Sequence, residues 1–264
     1  MPLAFACIAP HGGNLLLAEN LPTPIPQSRK GMADMAALMA AARPELFVIL
    51  TPHGQGISNA VSLAGCPVGT GEIDHIHLEC TIDLAMSADI AHEAATLGVP
   101  VVTLRTESET APFPLDWGVT IPYTLLAPQP YGVPVVVLCP ARNVSRTALV
   151  NLGEAIAVVA QRTDKRVALI VSADQGHGHA HDGPYGYTKD SEMYDAAMVS
   201  AVQNDHLGAL LEWDESWINA AMADSYWQTL SLIGARKRVP MQAIYHSYEV
   251  DHYFGLLCAS YVAV

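Results

Sequence analysis

The sequence predicts an α/β fold: a single domain with a mostly parallel central sheet and helices on both faces. Three observations carry this reading. Short β-branched runs alternate along the chain with longer amphipathic stretches, and a parallel strand pair needs a crossover that is usually a helix. The strand runs are apolar throughout rather than alternating, as expected of strands covered on both faces. No long polar linker divides the 264 residues, a length that one large α/β core accommodates, so 1–264 reads as one domain.

In chain order, strands are expected at residues 3–9, 46–51, 99–104, 133–138, 167–172 and around 241–245, each rich in Val, Ile or Leu. Between them, residues 32–42 are rich in Ala and Met, 84–97 are amphipathic, and 147–162, 190–202 and 216–233 repeat apolar residues at helical spacing. The Pro-rich segment from Leu21 to Pro26 and the Gly-punctuated segment from Gly176 to Gly186 read as loops. The basic run Arg236-Lys237-Arg238 is too short for a nucleic-acid patch and fits a helix C-terminus, where cations meet the negative end of the dipole.

Composition narrows the partners. A formal charge of -13, from 13 basic against 26 acidic residues, argues against phosphate-neutralising surfaces and hence against nucleic acid. Five scattered cysteines (Cys7, Cys66, Cys80, Cys139 and Cys258) suggest neither a disulfide framework nor a CxxC zinc site and fit a reducing cytoplasm. No apolar run approaches the roughly 18 residues of a membrane span, and no export leader is expected. A hydrophobic content of 51% suggests a homo-oligomer, most simply a homodimer, with apolar surface covered by a second copy.

The chemistry concentrates in three places. Ala9-Pro10-His11-Gly12-Gly13 and Thr51-Pro52-His53-Gly54 repeat a Pro-His-Gly tripeptide at two strand ends. Ligands of open α/β sheets sit outside the carboxyl ends of strands, so two imidazoles delivered there from adjacent strands can share one metal ion. The loop Ser172-Ala173-Asp174-Gln175-Gly176-His177 follows another strand and continues through His179 and His181. His177, nearest the strand, is the catalytic candidate, and the other two read as a solvated loop. The segment from Tyr245 to Phe254 offers Glu249, Asp251 and His252 beside an apolar stretch read as helical. One carboxylate added to His11 and His53 completes a 2-His-1-carboxylate triad suited to Fe(II). Spacing alone does not separate Glu249 from Asp251, and a carboxylate serving a helix start is the competing explanation for either.

These segments, together with Asp116-Trp117-Gly118-Val119-Thr120-Ile121-Pro122 and the terminal Tyr-Glu-Val-Asp-His-Tyr-Phe, resemble the class III extradiol dioxygenases over essentially the whole chain. The resemblance implies Fe(II) held by His11, His53 and Glu249, with His177 as the acid/base histidine. It implies a catechol-type or aminophenol substrate opened with O2 in a pocket shaped by Gly12, Trp117, Gly118 and Thr120. Trp117 departs from members that carry a second histidine after the aspartate, and some relatives work with a small separate subunit. A sister branch, the Memo proteins, uses a C-terminal cysteine at the metal site. Cys258 invites that comparison but lies in an apolar run and reads as core. A Memo-like protein or a hydrolase using Zn(II) is the alternative, and Mn(II) also suits such ligands.

Overall fold

Apolar strand residues here point to two faces, and both are covered. The computed structural model describes residues 3–17, 21–108, 110–127 and 132–264. The strands are β1 (Leu3–Ala9), β2 (Leu46–Leu50), β3 (Val61–Ala64), β4 (Val68–Ile73), β5 (Ile76–Thr81), β6 (Val101–Leu104), β7 (Phe113–Pro114), β8 (Val135–Pro140), β9 (Val167–Ser172), β10 (Met241–Asp251) and β11 (Phe254–Ala263). The helices are α1 (Pro26–Ala42), α2 (Leu84–Thr96), α3 (Trp117–Leu126), α4 (Arg146–Arg162), α5 (Lys189–Gln203), α6 (Glu215–Ala220) and α7 (Tyr226–Arg238).

Eight strands form the main sheet in the order β10-β11-β1-β9-β2-β8-β3-β6. The central run β1-β9-β2-β8 is parallel, whereas β11 meets β1, and β3 meets β8, antiparallel. The predicted α/β class with its mostly parallel sheet is therefore what forms. Alternate residues serve opposite cores, as the period of two requires. Leu46, Val48 and Leu50 join one cluster with Leu149, Leu152 and Leu230 of α4 and α7. Phe47 and Ile49 join the other with Met35 and Met39 of α1 and Tyr123 of α3. A small sheet, β5-β4-β7, lies on this second side. Across the first side, α4 and α7 pack backbone to backbone: a Cβ on Gly153 would run into the Ser231 carbonyl, and one on Gly234 into the Val150 carbonyl.

Three differences from the sequence reading position the site. First, β1 and β2 are not neighbours, because β9 lies between them and pairs with both. Second, residues 216–233 are not one helix. The chain breaks between α6 and α7, where Met222 takes a left-handed conformation (φ 50). The apolar spacing continued through the break because Ala221 and Ala223 are themselves buried. Third, the C-terminus is a strand hairpin rather than a helix. β10 and β11 pair from Met241↔Ala263 to Asp251↔Phe254, and the other edge of β11 pairs antiparallel with β1. The Arg236-Lys237-Arg238 run does occupy the last turn of α7. No helix among the described residues is long and apolar enough to cross a membrane.

Candidate metal centre

β1 ends at Ala9 and β2 at Leu50, so His11 and His53 both emerge at the carboxyl edge of the sheet. His11 is held twice, by the last residue of β9 and by the loop that follows it. Its Nδ1 pairs with Ser172 Oγ at 2.8 Å, and its backbone N–H donates to Asp174 Oδ1 at 2.8 Å. Nε2 is thereby aimed away from the sheet, to within 3.0 Å of His53 Nε2. The indole of Trp117 stacks on the His53 ring, centroids 4.3 Å apart, and fixes that imidazole from its other face.

The third member is Asp224, in the break before α7. Its Oδ2 lies 2.9 Å from His53 Nε2 and 3.5 Å from His11 Nε2. The donor atoms of His11, His53 and Asp224 all fall within 4.8 Å of one another. Asp224 is buried, yet neither carboxylate oxygen has a hydrogen bond of acceptable geometry. A buried carboxylate without a hydrogen bond is costly, and two imidazole nitrogens converging on it make the arrangement suited to a cation at their common focus. Burial alone would raise the Asp224 pKa, but the imidazoles of His11 and His53 outweigh it and hold the carboxyl well below the usual range. A buried His-His-Asp group of this kind can hold a divalent metal ion. The Asp224 backbone is fastened by Gln228 on the first turn of α7, whose Nε2 donates to the carbonyls of Asp224 and Ser172.

This corrects the assignment of Glu249. That residue lies in β10, where its Oε2 accepts the Ser28 N–H at 2.6 Å in the first turn of α1. It satisfies an otherwise unpaired helix amide, the competing role noted for such a carboxylate. Asp251 accepts two bonds from Asn14 Nδ2. Cys258 is buried in β11, with its thiol against the Ser28 carbonyl and its pKa pushed up to about 12 by burial. It therefore sits with the core as a neutral thiol. The sequence did carry a signal for Asp224: Asp224-Ser225 ahead of a helical apolar run is a helix-start pattern.

A cavity of about 270 Å³ opens above the cluster. Gly12, Trp117 and His177 line it, together with Tyr185, Tyr253 and Phe254. Gly118 and Thr120 do not. A side chain on Gly118 would strike Thr51 Oγ1 and Asp116 Oδ1, so that glycine admits the Thr51–Asp116 hydrogen bond (2.7 Å) beneath Trp117. Thr120 is buried, with its hydroxyl donating to the Asp116 carbonyl. His177 stacks on Phe254 at 5.5 Å, and its Nδ1 lies 2.8 Å from the Gln175 carbonyl. A carbonyl only accepts, so Nδ1 carries the proton and Nε2 of the neutral ring keeps its lone pair. Asp174, also in the wall, has its pKa raised by burial. His179 is engaged with Asp195, His181 with the Tyr187 ring, and His252 with Asp182.

The family model for the catalytic LigB subunit of aromatic ring-opening dioxygenase matches residues 5–257. The chain belongs to this family. Similarity to a curated protein, Protein CA_C1420 of Clostridium acetobutylicum, runs at 21% identity over 203 residues. The match takes in 74% of this chain and 43% of that protein, so the chain spans less than half the length of this relative. Among solved structures, uncharacterized protein JW3007 from Escherichia coli K12 has the same fold. Its TM-score is 0.66 at 13% identity, over 97% of this chain and 99% of that one.

Proposed function

We propose that this LigB-family chain is an extradiol ring-cleavage dioxygenase that uses Fe(II) and O2 on a small catechol-type ring. The observation that carries the reading is the focus of His11, His53 and the unpaired Asp224 carboxylate beneath an aromatic-walled cavity. Fe(II) at that focus would supply a redox-active Lewis acid with coordination positions left for substrate. The rest falls to the chain. Three ligands anchored on β1, β2 and the start of α7 fix the position to which the diol edge of the ring is brought. Phe254 and Tyr253 on one side and Trp117 on the other give the ring apolar faces to lie between. His177 Nε2, with Nδ1–H committed to the Gln175 carbonyl, is set to take a proton from a substrate hydroxyl and to return it later. The cavity is slightly below the roughly 300–1,000 Å³ usual for ligand pockets and fits a single ring.

The test is anaerobic reconstitution with Fe(II), followed by oxygen uptake and a ring-opening absorbance scan across catechols and aminophenols. Asp224→Ala is expected to lose iron and uptake together. His177→Ala is expected to keep iron and fall in kcat by about 10²–10⁴, the usual weight of a general acid/base. Activity supported by Zn(II) without oxygen consumption would replace the reading with the hydrolase alternative.

A further inference from the structure

A second, larger cavity of about 780 Å³ adjoins the one above the metal centre, and the two share Gly13, Tyr253 and Phe254 in their walls. Two hairpin tips build the junction. The β4–β5 turn puts Ile73 into the first cavity and Asp74-His75 into the second, and the β10–β11 turn puts Tyr253-Phe254 into both and Asp251-His252 into the second. Asp74 and His252 each hold a left-handed backbone at these two-residue turns (φ 52 and 56). The larger cavity has apolar walls from Leu16, Leu17, Leu21 and the Phe254 ring. Two carboxylates also line it: Asp74 is exposed at its turn, whereas Asp251 is buried with both oxygens accepting from Asn14 Nδ2.

The charges in these walls are one-sided. Among the described residues, the linings of both cavities contain carboxylates (Asp74, Asp174 and Asp251) and imidazoles, but neither Lys nor Arg. The residues outside the description add no Lys or Arg to the chain. A carboxylate on a ligand here would lack the guanidinium or ammonium that normally receives it and would face like charge. An ammonium would meet opposite charge and the faces of Tyr253 and Phe254.

Resting on the dioxygenase reading, we infer that the natural substrate is an ortho-diol with a tail reaching past Phe254 into the larger cavity. The tail carries a cation, and diols with carboxylate tails are rejected. Asp74 is the specificity-determining residue, and it does not belong to the metal centre.

The experiment measures binding without turnover, by calorimetric titration of the anaerobic Fe(II)-loaded protein with three catechols. They carry an ethylamine, a propyl or a propanoate tail para to one hydroxyl. The inference expects the amine to bind about tenfold more tightly than the propanoate and several-fold more tightly than the propyl compound. Asp74→Asn suits the left-handed turn and is expected to erase much of the amine's advantage while leaving propyl binding unchanged. Propanoate binding as tightly as the amine, or an amine advantage untouched in Asp74→Asn, would overturn the inference and leave the dioxygenase reading standing. Failure of all three catechols to bind, with the metal in place, would instead remove the dioxygenase reading itself.

Discussion

Two carboxylates near helix starts have opposite fates, and the difference lies in what meets them. Glu249 Oε2 accepts a backbone N–H of α1, whereas both Asp224 oxygens lie buried without a hydrogen bond, facing two imidazoles. Glu249→Gln should therefore leave metal binding intact and cost stability on the order of 1 kcal/mol, the scale of a helix cap. Asp224→Asn should keep the fold while metal affinity falls by more than the ~10–100-fold that loss of an outer partner costs. Metal content after dialysis, read beside a thermal melt, checks both. Asp195 holds a subtler role. Its Oδ1 accepts the Gly176 N–H at 2.7 Å, and its Oδ2 lies 2.8 Å from His179 Nε2 and accepts the Tyr248 hydroxyl at 2.6 Å. Gly176 is the residue before His177, so Asp195 positions the loop that carries the acid/base candidate. Asp195→Asn is expected to lower kcat by roughly tenfold with KM within about twofold and iron retained, the pattern of a group felt mainly in the transition state. A rise in KM with kcat unchanged would assign Asp195 to substrate binding instead.

At the scale of elements, packing set by backbone approach is the most exposed to substitution. Gly153→Ala would drive a methyl group into the Ser231 carbonyl of α7 and should cost about 1–3 kcal/mol by overpacking, seen as a lower urea midpoint. The N-cap of α2 gives a pH-dependent case. Asp83 Oδ1 accepts the Met86 N–H at 3.0 Å, and Oδ2 pairs with Lys165. Burial would raise its pKa, but these contacts lower it overall. A carboxyl lowered on folding stabilises fully above its ordinary value of about 3.9 and loses that contribution as pH falls through the folded value. Asp83→Ala should be less stable than wild type by about 0.5–2 kcal/mol at neutral pH, and the two melts should converge in strong acid. Such elements were legible beforehand where the local signal was strong: the central strands, α2, α4 and α5 all form close to the residues their periodicity marked. What escaped was decided by tertiary structure. The last segment, Phe254–Ala263, carries apolar residues compatible with either helix or strand, and pairing with β1 and β10 makes it a strand. Asp224 escaped because the buried alanines around it sustained the helical pattern across a break, while spacing left Glu249 and Asp251 open and the family resemblance pointed to Glu249.

Over the whole molecule, the metal focus joins segments far apart in sequence: the ends of β1 and β2 and the start of α7. Without a cation, that meeting point holds a buried carboxylate with no hydrogen bond, an arrangement that costs free energy. A cation bound only by the folded chain stabilises it by mass action, about 2.7 kcal/mol at a concentration a hundred times Kd. For a chain of 264 residues, each kcal/mol moves Tm by about 2–4 °C, so anaerobic Fe(II) at that excess should raise Tm by roughly 5–11 °C. A chelator should reverse the shift. Asp224→Asn should show little of it, whereas Glu249→Gln should show all of it. This measurement needs no substrate and no turnover, so it tests the metal centre separately from the chemistry assigned to it. An equal shift in wild type and Asp224→Asn would place the ion elsewhere on this acidic chain. A shift with Zn(II) or Mn(II) but none with Fe(II) would keep the centre and take away its iron.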